Sequence, residues 1–79
     1  MTIEFKDGVL ACGGSLAVED AELLQQALAE HTGAAADLAA CEHVHAACLQ
    51  VLMAAGVRVT AWPAAAALAA WLRAALVQD

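Results

Sequence analysis

The Asp-Gly pair at positions 7 and 8 narrows most sharply what this chain can fold into. It separates two short strand-like segments, "IEF" and "VLA". Both turn positions of a two-residue hairpin require positive φ, which Asp and Gly accept at low cost. A chain that opens on a hairpin must build a sheet, so everything after it has to be reconciled with one. "CGGS" (Cys12–Ser15) reads as the break that ends the second strand. From about Val18 to His31 the pattern becomes helical. Val18, Ala21, Leu24, Ala27 and Leu28 share one broad face, and Glu19, Glu22, Gln25, Gln26 and Glu30 lie largely outside it. Glu19, Asp20 and Glu22 fall in the first turns, where the helix dipole favours negative charge. Gly33 then marks a C-terminal stop.

The segment "AAADLAAC" (Ala34–Cys41) has helix propensity by itself, because alanine is the best helix former. Its position between a glycine stop and a second helical pattern leaves it too short for a helix of its own, so it reads as a buried central strand. A helix follows over Ala46–Ala55, with Leu49, Leu52 and Met53 inward, and ends at Gly56. "VRVTAW" (Val57–Trp62) is the clearest strand, and Pro63 occupies a first-turn position for a last helix running to about Val77. The order is β-β-α-β-α-β-α over one domain, residues 1–79. This predicts an α/β fold with a small mixed sheet, its later strands parallel, packed with about three helices.

Composition sets limits on function. The chain is 63% hydrophobic and 15% charged, much of the apolar content being alanine, so its core must be closely layered rather than filled by large side chains. A net charge of −6, with only Lys6, Arg58 and Arg73 as cations, argues against nucleic acid and weakly favours a basic partner surface. "MTIEFKDGVL" carries charges where an export signal needs an apolar run. The longest apolar run, Val59–Leu72, is fourteen residues, contains Pro63 and ends at Arg73, so no membrane span is expected. Three cysteines form no paired framework and suit a reducing, cytoplasmic setting.

The order of elements, taken with "ADLAACEHVHAACLQVLMAAGVRVTAW" and "GGSLAVEDAELLQQAL", resembles the STAS domain, the fold of bacterial anti-sigma factor antagonists and related modules. Asp37-Leu38 matches the family's buried strand, Leu49 the first inward leucine of the following helix, and "LMAAGVRV" the helix end and next strand. The resemblance covers nearly the whole chain, in a compact version. Aligned on Leu49, the family's Asp falls on His45, its phosphorylated Ser on Ala46 and its Gly on Cys48. No hydroxyl occurs from Leu38 to Arg58. The resemblance therefore implies a non-enzymatic signalling module that a serine kinase cannot switch at the usual site, held in the uncharged, partner-binding state. Its protein partner would be a kinase-like anti-sigma factor, a chemotaxis component or a transporter subunit. The implied contact surface is Glu42, His43, His45, Ala46, Ala47 and Leu49.

"CEHVHAAC" (Cys41–Cys48) admits a second reading. Continued as an extended segment, its period of two would put Cys41, His43 and His45 on one side, with Cys48 turning back to complete a zinc site. That implies a small metal- or thiol-responsive protein. The spacing matches none of the usual zinc pairings. The favoured reading needs no cofactor: Cys41 and Cys48 as small buried hydrophobes, with His43 and His45 in an exposed strand-to-helix turn. A Cys48–His45 dyad has helical spacing but no accompanying oxyanion hole. Ser15 lacks a nucleophile elbow and reads as a cap or turn residue; Asp37 is expected to bond to nearby backbone. In the last helix Leu68, Leu72, Ala75 and Leu76 form an inward stripe, with Trp71 and Val77 to its sides. Trp62 and Trp71 are expected to cover the core's edge. The alternative is an exposed patch for a partner or a second copy.

Overall fold

The computed structural model describes residues 1–76. Its elements are β1 (Thr2–Lys6), β2 (Val9–Leu16), a short 3-10 turn (Val18–Asp20), α1 (Ala21–Glu30), β3 (Ala35–Val44), α2 (Ala46–Ala55), β4 (Val59–Ala61) and α3 (Ala66–Ala75). The fold is mixed α/β. One four-stranded sheet has the order β1-β2-β3-β4; β1 and β2 are antiparallel, and β2–β3 and β3–β4 are parallel. Asp7 and Gly8 both have positive φ, 53° and 79°, as the hairpin turn demands.

The core is one cluster between the sheet and the helices. β2 supplies Leu10, Cys12 and Leu16, and β3 supplies Ala36, Leu38, Cys41 and Val44. Leu24 and Leu28 of α1, Leu49 and Leu52 of α2, and Leu72 of α3 close over them. Among the described residues no polar or charged side chain is buried. The opposite sheet face carries small and polar residues: Thr2 and Glu4, Ala11 and Gly13, and Asp37, Ala39 and Ala40 line one shallow depression there. Gly13 is required by the closeness of this layer, since a Cβ on it would lie 2.9 Å from Thr2 Oγ1 and 3.1 Å from Ala40 Cβ.

Several expectations are corrected. "CGGS" does not end the second strand: β2 runs through it to Leu16 and pairs with β3 throughout, absorbing the positive φ of Gly14 (75°) as an irregularity in register. Ser15 is therefore an exposed strand residue, not a cap. β3 continues past Cys41 to Val44, because β2 provides a partner that far. The first helix is only a 3-10 turn until Ala21, and Val18, meant for its inward face, is 55% exposed. Met53 is 51% exposed while Cys48 takes an inward place; α2 is apolar on nearly every side, so its pattern cannot say which side turns in. Only Val59–Ala61 of "VRVTAW" pairs as strand. Pro63 is buried in the connection, three residues before α3, whose N-cap is Ala65.

The stripe Leu68, Leu72, Ala75 and Leu76 does face the core, with Leu72 fully buried and Leu76 buried. Trp62 is half-buried beneath the Arg73 guanidinium, 5.3 Å from its ring centroid. Trp71 points outward at 42% exposure, so it does not cover the core's edge. Val77, the expected end of that helix, lies outside the described residues.

Candidate functional site

Parallel β2 and β3 end at the same edge of the sheet, and α2 begins there. Ser15 sits opposite His43 and Leu16 opposite Val44, and the His45 N–H donates to the Leu16 carbonyl at 2.7 Å. The chain then enters α2. His45 is the N-cap: its backbone is extended (φ −70°, ψ 148°), and its Nδ1 accepts the Ala47 N–H at 3.0 Å. An imidazole that accepts at Nδ1 carries its proton on Nε2, so the cap requires the neutral ring. Ala46 is the first helical residue and is exposed; Ala47 is half-exposed. Gly56 ends the helix in the left-handed conformation (φ 65°), its N–H donating to the Met53 carbonyl.

Two irregularities in β3 decide what this edge displays. Between Asp37 and Ala40, β3 advances three residues while β2 advances two; between Cys41 and His43, it advances two residues against one. Each bulge shifts the alternation, so the buried positions run Ala36, Leu38, Cys41, Val44 rather than every second residue. Asp37 supports the first bulge, its Oδ1 accepting the Ala39 N–H at 2.9 Å, the backbone role expected of it. The second bulge turns Glu42 and His43 both outward.

Cys41 and His43 therefore do not share a side, and the four residues of the zinc reading are not brought together. Cys41 is buried and its thiol donates to the Cys12 carbonyl at 3.3 Å. Cys48 is buried and donates to the Ala17 carbonyl at 3.2 Å. His43 and His45 are exposed. Among the described residues no group of three His, Cys, Asp or Glu side chains is placed to hold a metal ion. The Cys48–His45 dyad is likewise unformed, since each member is hydrogen-bonded elsewhere.

The thiols are chemically quiet. Burial pushes Cys12 from the ordinary thiol value of 9.0 up to about 11, with the Asp37 carboxylate and Cys48 adding to it. Cys41 is pushed up to about 12 by burial, then by Cys12 and Asp37. Cys48 is raised by burial, then by Asp20 and Glu19. All three stay protonated and poorly nucleophilic at neutral pH.

Of the implied contact residues, Glu42, His43, His45, Ala46 and Ala47 do reach the surface at this edge. Leu49 does not. Its side chain is in the core at 7% exposure, because the helix start turns that position under α1 and the sheet. Sequence reasoning missed the contribution of β2. Ser15 and the segment Ala17–Asp20 lie beside the α2 start only because β2 and β3 are parallel neighbours, and no local signal in the sequence marks that. It also missed an open apolar groove of about 420 Å³ between α1 and α2. Gln25, Leu28 and Ala29 line it on one side and Ala47, Gln50, Val51 and Ala54 on the other, so it begins at the second residue of α2.

Charge around the α2 start is acidic: Glu42, Glu19 and Asp20 are near, whereas Lys6 and Arg58 lie at the opposite end of the sheet, beside Val9 and Ala36. Among the described residues no helix is long and apolar enough to cross a membrane. No protein-family model matches the sequence, and no curated protein or solved structure matches it significantly.

Proposed function

We propose that this chain is a non-enzymatic, cytoplasmic protein-interaction module of the STAS type, acting in bacterial signalling and locked in the uncharged state. The reading is carried by the start of α2. An exposed, hydroxyl-free Ala46 opens the helix straight after the strand that carries Asp37-Leu38, where the resembling family places its phosphorylated serine. Small, uncharged Ala46 and Ala47 let a partner's backbone come close. The groove from Ala47 to Ala54 extends that footing along α2, and Glu42, His43 and Glu19 form a polar, acidic rim. Such an arrangement suits a partner with an apolar ridge and flanking cations, an anti-sigma factor, chemotaxis component or transporter subunit. The three thiols are buried and protonated, so none of them is offered at this edge.

The test uses wild type, Ala46→Ser and Ala46→Glu as baits in host lysate, followed by affinity measurement with the purified partner. A carboxylate at the first helical position suits the helix dipole, so the variant stays folded while charging the contact. Wild type and Ala46→Ser should retain the partner, and Ala46→Glu should lose at least about tenfold in affinity, the cost of one desolvated unpaired charge at an interface. Equal retention by all three would refute the surface.

A further inference from the structure

β1 is an edge strand: among the described residues it has a neighbour on one side only. The two-residue turn makes Lys6 and Val9 a mutually hydrogen-bonded pair, so Glu4 and Thr2 also bond inward to β2. The N–H and C=O groups of Ile3 and Phe5 consequently point away from the sheet. Edge strands are ordinarily protected by charged side chains, a bulge, a proline or a covering element; the charges of β1, Glu4 and Lys6, are of opposite sign and so complement rather than repel a second copy. β1 pairs with β2 from Thr2 to Lys6 without a register shift and contains no proline. Its helix-side residues are apolar and incompletely covered. Phe5 is 44% exposed, with one ring face stacked on His31 at 3.8 Å, and Leu23 of α1 beside it is 55% exposed. The other face of β1 carries Glu4 and Lys6 at alternate positions.

We propose that this edge is a self-association surface, where a second copy adds its own β1 antiparallel about a two-fold axis through Phe5. Charge complementarity selects the copy and the register. An axis through Phe5 puts Glu4 opposite the second copy's Lys6, and Lys6 opposite its Glu4, on the same sheet face. The two Phe5 residues then face each other on the helix side, flanked by the exposed Leu23 side chains, and their outward backbone groups pair. Shifting the axis to Glu4 would instead oppose two carboxylates. The two-fold axis is normal to the sheet, so both helical layers stay on one side and the two α2 N-termini lie at opposite ends of an eight-stranded sheet. Both partner surfaces proposed above remain free. The inference does not depend on them.

A five-residue edge with two apolar side chains per copy makes a small interface, and weak association is expected. The test is sedimentation equilibrium of the whole chain from about 10 µM to about 1 mM, the range of weak complexes. Wild type, Glu4→Lys, Lys6→Glu and the Glu4→Lys/Lys6→Glu double variant are compared, each checked for an unchanged thermal midpoint. Wild type should dimerise. Each single variant should weaken the dimer about tenfold, two attractive cross-strand pairs having become repulsive, and the double swap should restore it. A wild type that stays monomeric would overturn the proposal. So would a dimer indifferent to the single variants, or one that the double swap fails to restore.

Discussion

His45 is the residue on which the candidate surface most depends. It holds the first turn of α2 through Nδ1 and is tied to β2 through its own N–H, so one residue fixes both where the helix starts and how it leaves the sheet. An imidazole is an adequate cap but not the best one: carboxylate and hydroxyl caps accept the same N–H, and a carboxylate also meets the positive end of the helix dipole. His45→Asp should therefore raise stability by about 0.5 kcal/mol, whereas His45→Ala should lower it by about 1 kcal/mol. Urea denaturation at neutral pH measures both. A His45→Ala variant as stable as wild type would show that the Nδ1 bond contributes nothing.

At the scale of elements, β3 governs the site. It is ten residues long, yet among the described residues β4 pairs with it at Ala36 and Asp37 only, and beyond Asp37 its strand partner is β2. The stretch from Asp37 onward contains both bulges, and they decide that Glu42 and His43 face out while Cys41 and Val44 face in. Asp37 stands at the last β4 pairing and holds the first bulge by accepting from Ala39. Removing that acceptor with Asp37→Ala should cost about 1 kcal/mol, and Asp37→Asn, which keeps an oxygen in place, should cost much less. The two midpoints in urea separate a hydrogen-bonding role from a charge role; equal losses would assign the effect to charge. The Ala-rich half of this strand was legible as strand from context. The bulges were not, because a bulge is a property of two strands in register.

For the molecule as a whole, the distinctive feature is a core in which cysteines do the work of small aliphatic residues. Cys12, Cys41 and Cys48 are all buried and all titrate higher folded than unfolded. A group that holds its proton more tightly in the folded state stabilises the fold below its unfolded value and ceases to as pH climbs to its folded value. Stability should hence be level below pH 9 as far as these thiols are concerned, and fall from about 9 toward about 11–12, by up to ~1.4 kcal/mol per pH unit for each thiol still protonated. The chain has no tyrosine, so thiolate absorbance can be followed without tyrosinate. A Cys12→Ala variant should show a shallower alkaline slope. In the native state at neutral pH a disulfide reagent should label none of the three; prompt native labelling would contradict their burial.

The sequence alone determined the features whose physics is local. Asp7-Gly8 required a hairpin because those two residues accept positive φ, and α2 runs over the expected Ala46–Ala55 because Gly56 stops it. Alternating strand and helix patterns were enough for a mixed α/β fold with a four-stranded sheet and three helices. The tertiary structure decided what depends on partners distant in sequence. α2 is apolar nearly all round, so only packing against α1 and the sheet chose Cys48 and Leu49 for the core and left Met53 in solvent. The pairing of β2 with β3 carried the strand through two glycines, introduced the bulges that separate Cys41 from His43, and placed Ser15–Asp20 beside the start of α2. Side-chain direction in a sheet follows register, and register is set between strands, so no window of this sequence could have specified it.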